Sequence, residues 1–214
     1  MKRFSIFMVI VFASTCALAQ KADAAFVVGG SFVSDAKQVF AVPCFTPGCP
    51  ASSTFLNVKT DHHVFLEGAV GVRLADAKLV SLHVELPVAG IPSQKLTLAS
   101  TPSGVIDHLS TVFVTPSLRL KVLPIAPISP WVSVGGGWAR YSLDSGATTN
   151  KGAVQYGGGL DFKTGLPLLG FRAEVRDFVT GDPNFGVINL LSGKGQSGLH
   201  HHNILAGGGL VLRF

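Results

Sequence analysis

Charge is scarce in this chain. Asp, Glu, Lys and Arg make up 14% of it, against about 25% in an ordinary soluble domain. Long apolar runs are missing as well. Beyond residue 24 no segment offers the roughly 18 uninterrupted apolar residues of a membrane-spanning helix, although mean hydropathy is +0.44. Cysteine is rare, at three residues. The basic excess is slight. With Lys2 and Arg3 set aside as part of a leader, the 17 basic and 12 acidic residues leave a net charge near +3, too mild for a nucleic-acid partner. A hydrophobic chain with few charges and no spanning helix has few ways to be stable. One is a barrel, in which alternation hides the hydrophobicity.

The first residues supply a route out of the cytoplasm. Lys2 and Arg3 precede an almost wholly apolar stretch from Phe4 to Thr15, and Ala17-Leu18-Ala19 forms a small-x-small cleavage site. This is the pattern of a secretory signal peptide over residues 1–19, with cleavage after Ala24 as the alternative. A retained anchor fits less well, because the run is short for a helix of about 20 residues. A lipoprotein signal at Cys16 lacks its lipobox, since Ala13-Ser14-Thr15 precedes the cysteine. Cleavage leaves roughly 190 residues, enough for one domain over 20–214.

Alternating segments fill that domain. Eight strands are expected at 26–34, 64–74, 79–87, 110–122, 130–141, 152–163, 168–178 and 203–214, most near the 9–11 residues of a tilted membrane strand. The connections sort by length. Those at 35–63, 88–109, 142–151 and 179–202 are long, and those at 75–78, 123–129 and 164–167 are short. Long loops at one end and short turns at the other are the asymmetry of outer-membrane barrels.

Parity divides each strand into two faces. Leu169, Phe171, Ala173 and Val175 share one, and Gly170, Arg172, Glu174 and Arg176 the other. A soluble barrel would turn the apolar set inward. Glycine argues for the reverse. Gly157-Gly158-Gly159 and Gly207-Gly208-Gly209 put two glycines each on the polar face, and a narrow eight-stranded lumen needs small neighbours beside long charged side chains. The polar face then forms an interior network of Glu67, Arg73, Glu85, Arg119, Lys121, Asp161, Arg172, Glu174, Arg176 and Arg213. Buried charges of this kind must pair. Trp131, Trp138, Tyr141, Tyr156, Phe162, Phe178 and Phe214 fall mostly near strand ends, where interfacial girdles lie.

Cys44 and Cys49 flank Pro47-Gly48 in a loop. An even pair in an exported protein suggests a disulfide; two free thiols or half a zinc site are the alternatives. A zinc site would need ligands this loop lacks.

The ending Asn203 to Phe214 is an alternating strand that stops on an aromatic. In this it resembles the bacterial outer-membrane β-barrel family, whose members commonly end in such a strand. The resemblance implies that Phe214 is part of the signal read by the barrel-assembly machinery. Strand count, loop sorting and the segment Pro130-Trp131-Val132-Ser133-Val134-Gly135-Gly136-Gly137-Trp138-Ala139-Arg140-Tyr141 resemble the small eight-stranded barrels of the OmpA-like type. No peptidoglycan-binding domain follows Phe214, so a cell-wall tethering role is not implied. The expectation is an all-β, eight-stranded, antiparallel up-and-down transmembrane barrel in the outer membrane. It would be monomeric and surrounded by lipid, without cofactor or nucleic acid, and would act structurally or through its loops. A narrow channel or a lipid-modifying outer-membrane enzyme is the alternative role, and a soluble exported barrel the alternative structure.

Little chemistry is legible. Gly135-Gly136-Gly137 lacks the spacing of a phosphate loop and no helix pattern follows it. His200, His201 and His202, with His62 and His63, form a weak candidate for a transition metal. Adjacent histidines alternate faces in a strand, so the first three cannot share one site. The lipid A deacylase family resembles this chain in strand number and works through His, Ser and a carboxylate. Here Ser197 and the histidines lie in one loop, but the His-x-Ser arrangement is absent, and no nucleophile–base pair is identifiable.

Overall fold

A computed structural model describes residues 22–33, 36–42, 52–60, 63–98, 105–181 and 199–214. The expected signal peptide, the Cys44–Cys49 pair, His62 and Ser197 lie outside them.

Strand β1 spans Ala22–Val33, β2 Ala36–Val42, β3 Ser52–Thr60, β4 His63–Ala77, β5 Val80–Leu98 and β6 Val105–Val114. Then follow β7 at Ser117–Val122, β8 at Ile128–Leu143, β9 at Thr148–Lys163, β10 at Leu169–Gly181 and β11 at Leu199–Arg213. Neighbours pair antiparallel in the order β1, β4, β5, β6 with β7, β8, β9, β10, β11. The ring closes where β11 returns to β1, from Asp23 opposite Arg213 to Val33 opposite Asn203. This is a closed, eight-stranded, up-and-down transmembrane β-barrel, as the alternation predicts. Closure leaves the wall no free edge, which is what lipid demands of a sheet.

One wall element is broken. The expected strand 110–122 is split at Thr115-Pro116 into β6 and β7. Pro116 accepts at its carbonyl from the Gly136 N–H at 3.2 Å. It has no N–H with which to return the bond.

The apolar set faces outward. Phe26, Leu66, Val70, Leu118, Val132, Phe171 and Val175 are exposed on the outer wall, whereas Glu67, Glu85, Arg119, Asp161, Arg172 and Arg176 are buried within. A soluble protein could not carry that surface without aggregating; acyl chains are its natural solvent.

The loop end departs from expectation. The connection expected at 142–151 is a tight turn over 144–147, where Gly146 has φ 94° and its N–H bonds the Leu143 carbonyl at 2.9 Å. Its strands, β8 and β9, run 16 residues each, longer than lipid alone requires. The expected loop 88–109 is mostly strand, because β5 continues to Leu98 and β6 starts at Val105. Within 35–63, β2 and β3 pair from Ala36 opposite Val58 to Val42 opposite Ser52. Thr60 of β3 then continues the ladder on β5 at Leu96. Strands β2, β3, β5 and β6 thus form a sheet that continues the wall on one side.

Candidate functional site

The lumen is the best-defined polar site in the molecule, and it has two storeys. The lower one, towards the turns and termini, is built around Glu85 of β5. Its Oε1 accepts from Arg119 Nη1 at 3.1 Å, Arg172 Nη1 at 3.0 Å and Arg176 Nη2 at 3.1 Å. Asp161 takes a fork from Arg172, Nε to Oδ1 at 2.8 Å and Nη2 to Oδ2 at 3.3 Å, and pairs with Lys121. Arg119 also donates to Asp23 Oδ2 at 2.5 Å. Arg176 reaches Glu67 Oε1 at 3.1 Å and Glu174 Oε2 at 3.2 Å. Bidentate and charge-assisted bonds of this kind are the strong ones. They are also the condition for keeping charge out of water.

Trp131 lies among the guanidiniums. The carbons of Arg176, Arg172 and Arg119 sit 5.0, 5.1 and 5.9 Å from its ring centre, within cation–π range. Room for the indole comes from Gly159. A Cβ there would stand 2.7 Å from Trp131 Cζ2, so only glycine fits beside the ring.

The upper storey contains no such network. Phe65, Phe113, Tyr141, Phe178, Ile91 and Leu205 form an enclosed apolar cluster. Phe113 stacks on Phe178 at 4.6 Å and meets Tyr141 edge-on at 6.3 Å. The Tyr141 hydroxyl shares a 2.6 Å hydrogen bond with Thr180 Oγ1. Gly29 and Gly207 make space for Phe65: a Cβ on either would come within 2.7 or 2.9 Å of its ring.

Eight of the ten residues expected in the interior network are buried in the lumen: Glu67, Glu85, Arg119, Lys121, Asp161, Arg172, Glu174 and Arg176. Two are not in it. Arg73 stands at the lower rim, just before the register shift between Arg73 and Ala75, and pairs there with Asp76. Arg213 lines the lower mouth instead. Two network members went unpredicted, Asp23 and His83. Asp23 lies beyond the expected cleavage after Ala19 but within the alternative leader ending at Ala24, and the His83 ring shares a 3.1 Å hydrogen bond with Ser81 and lies 3.7 Å from Asp23. Three aromatics expected in the girdle, Trp131, Tyr141 and Phe178, point into the lumen, while Trp138, Tyr156 and Phe214 remain outside. Their strand parity decides this. Trp131 shares a face with the buried Ser133, not with Val132.

The described histidine side chains do not converge. His201 is buried inside near Tyr141, with ring centres 6.4 Å apart. His202 lies on the outer wall, as alternation requires, and its Nδ1 is 2.7 Å from Asp177 Oδ2. His63 accepts the Lys95 backbone N–H at 3.1 Å. His200 falls in β11, with its side chain outside the described residues. Among the described residues no three His, Cys, Asp or Glu side chains gather for a metal.

Asp177 is a polar residue that the sequence reading overlooked. It faces outward, opposite Ile204 and Tyr156, and also accepts from the Tyr156 hydroxyl at 2.7 Å. Its neighbour Arg176 gave the clue, since consecutive charges in a strand cannot both face the lumen.

Comparison with solved structures agrees with the geometry. The chain is similar to Neisserial surface protein A over 90% of its own length and 96% of that protein's, with a TM-score of 0.55 and 12% identity. It is similar to the outer membrane protein OprG from Pseudomonas aeruginosa over 91% and 97%, with a TM-score of 0.54 and 12% identity. No protein-family model matches the chain, and no curated protein sequence is significantly similar to it. What is shared is the fold, that of small outer-membrane barrels.

Proposed function

We propose that this protein is exported by its N-terminal signal and resides in the outer membrane. There it is a monomeric barrel of the small, OmpA-like kind with a structural and surface-interaction role, and neither catalysis nor conduction is part of that role. The observation that carries this reading is the occupied lumen. Ion pairs crowd its lower half and stacked aromatics its upper half, which supports a packed rather than a conducting interior in a wall only eight strands around. With the interior occupied, the sheet extension of β2, β3, β5 and β6 and the loop-end connections are the parts free to meet a partner. Loops on a rigid scaffold are where binding normally resides. The name of one neighbour, a surface protein, is compatible with this placement.

Fractionation of expressing cells, followed by gel mobility with and without boiling, tests the location. The expected result is an outer-membrane band that shifts on heating. Single-channel recording in planar bilayers tests the role. Steady stepwise conductance would favour a channel and sink the occluded-lumen reading.

A further inference from the structure

The lower mouth holds a feature that the barrel's architecture does not need. An open cavity of about 540 Å³ lies between the network and the turns. Five basic side chains line it, those of Arg73, Lys78, Lys121, Lys163 and Arg213. The acidic side chains of the lining are those of Asp23 and Asp76, both already engaged. Lys121 is committed to Asp161 and Arg73 to Asp76. Among the described residues no hydrogen bond or ion pair reaches the side chains of Lys78, Lys163 or Arg213. Lys163 instead feels the positive charges of Arg213 and Arg73. A protein gains nothing by gathering repelling cations unless an anion joins them.

The surroundings say what carries the anion. The turns beside the mouth end in exposed aliphatic side chains: Ile125 is 74% exposed, Leu79 66% and Leu166 61%, and Ile125 itself lines the cavity. Turns that met only water would be polar. Basic groups next to apolar tips, at the level where a transmembrane wall ends, match a headgroup joined to acyl chains.

We infer that this vestibule binds the phosphate of an anionic phospholipid from the leaflet on the turn side, with Lys163, Arg213 and Lys78 as its cations and the turn side chains against its acyl chains. The inference rests on the membrane placement proposed above.

Native mass spectrometry of the full barrel released from detergent tests it, with phosphatidylglycerol, phosphatidylcholine or inorganic phosphate added. The expected result is retention of phosphatidylglycerol over phosphatidylcholine. The double variant Lys163→Gln/Arg213→Gln should lower that retention about tenfold, the loss of roughly one charged contact, while its heat-dependent gel shift persists. Arg213 lies in the closing strand, so Lys163→Gln/Lys78→Gln serves where the first variant does not fold, and a similar loss is expected. Equal retention of the two lipids, or unchanged retention in folded variants, would overturn the inference. So would inorganic phosphate raising the unfolding temperature as much as phosphatidylglycerol does, or an acidic peptide displacing the lipid. A wild-type protein without heat shift would remove the membrane reading itself; a shifting barrel without lipid preference removes only the vestibule.

Discussion

The two storeys of the lumen share one wall, one parity and one set of strands, yet they are filled by opposite means. Strand β10 passes through both. Its inward residues are Arg172, Glu174 and Arg176 below, then Phe178 and Thr180 above. Below, specificity comes from directional bonds that converge on one carboxylate oxygen. Above, it comes from ring geometry and close packing. An apolar plug tolerates imperfect partners, since dispersion is spread over many weak contacts. A charged hub does not, since each member left alone keeps its full desolvation cost. The lower storey should therefore be the more brittle of the two.

That contrast can be broken most directly at its centre. Glu85→Ala leaves three guanidiniums facing one another and should cost about 3–5 kcal/mol, read as a lower urea midpoint for the barrel in lipid vesicles. Phe178→Ala removes the stacked ring of the upper storey and should cost about 3 kcal/mol in the same titration. A greater loss from Phe178→Ala than from Glu85→Ala would reverse the ranking. Gly159→Ala pushes a methyl group against Trp131 and should cost about 1–3 kcal/mol. Tryptophan fluorescence would report the displaced indole. Tyr141→Phe deletes the hydroxyl's bond to Thr180, worth about 1 kcal/mol, and would show as a small fall in unfolding temperature.

Much of this was legible in the sequence because membrane strands obey a strict period of two. Leu169 to Arg176 alternate without a fault, and the paired glycines of β9 and β11 mark a crowded interior. For the aromatics, nearness to strand ends misleads, and parity with residues such as Ser133 is the better guide. The register shift that follows Arg73, and puts Asp76 within reach of it, is something alternation alone does not mark. The hairpin of β2 and β3 escaped notice for another reason. Ala36-Lys37-Gln38-Val39-Phe40-Ala41-Val42 shows no clean two-faced pattern, the only signal by which the strands were found. Nothing in the composition distinguishes an upper from a lower storey.

The arginines that meet at Glu85 bear on how the barrel forms over time. Arg119 comes from the adjoining β7, but Arg172 and Arg176 come from β10 across the lumen, 87 and 91 residues further along the chain. A β4–β5 hairpin gains nothing from them while the sheet is flat. Their contribution arrives only when the wall curls round and β11 finds β1. The slow, long-range step of folding is therefore also the step at which this energy is released, and a half-rolled sheet has little reason to persist.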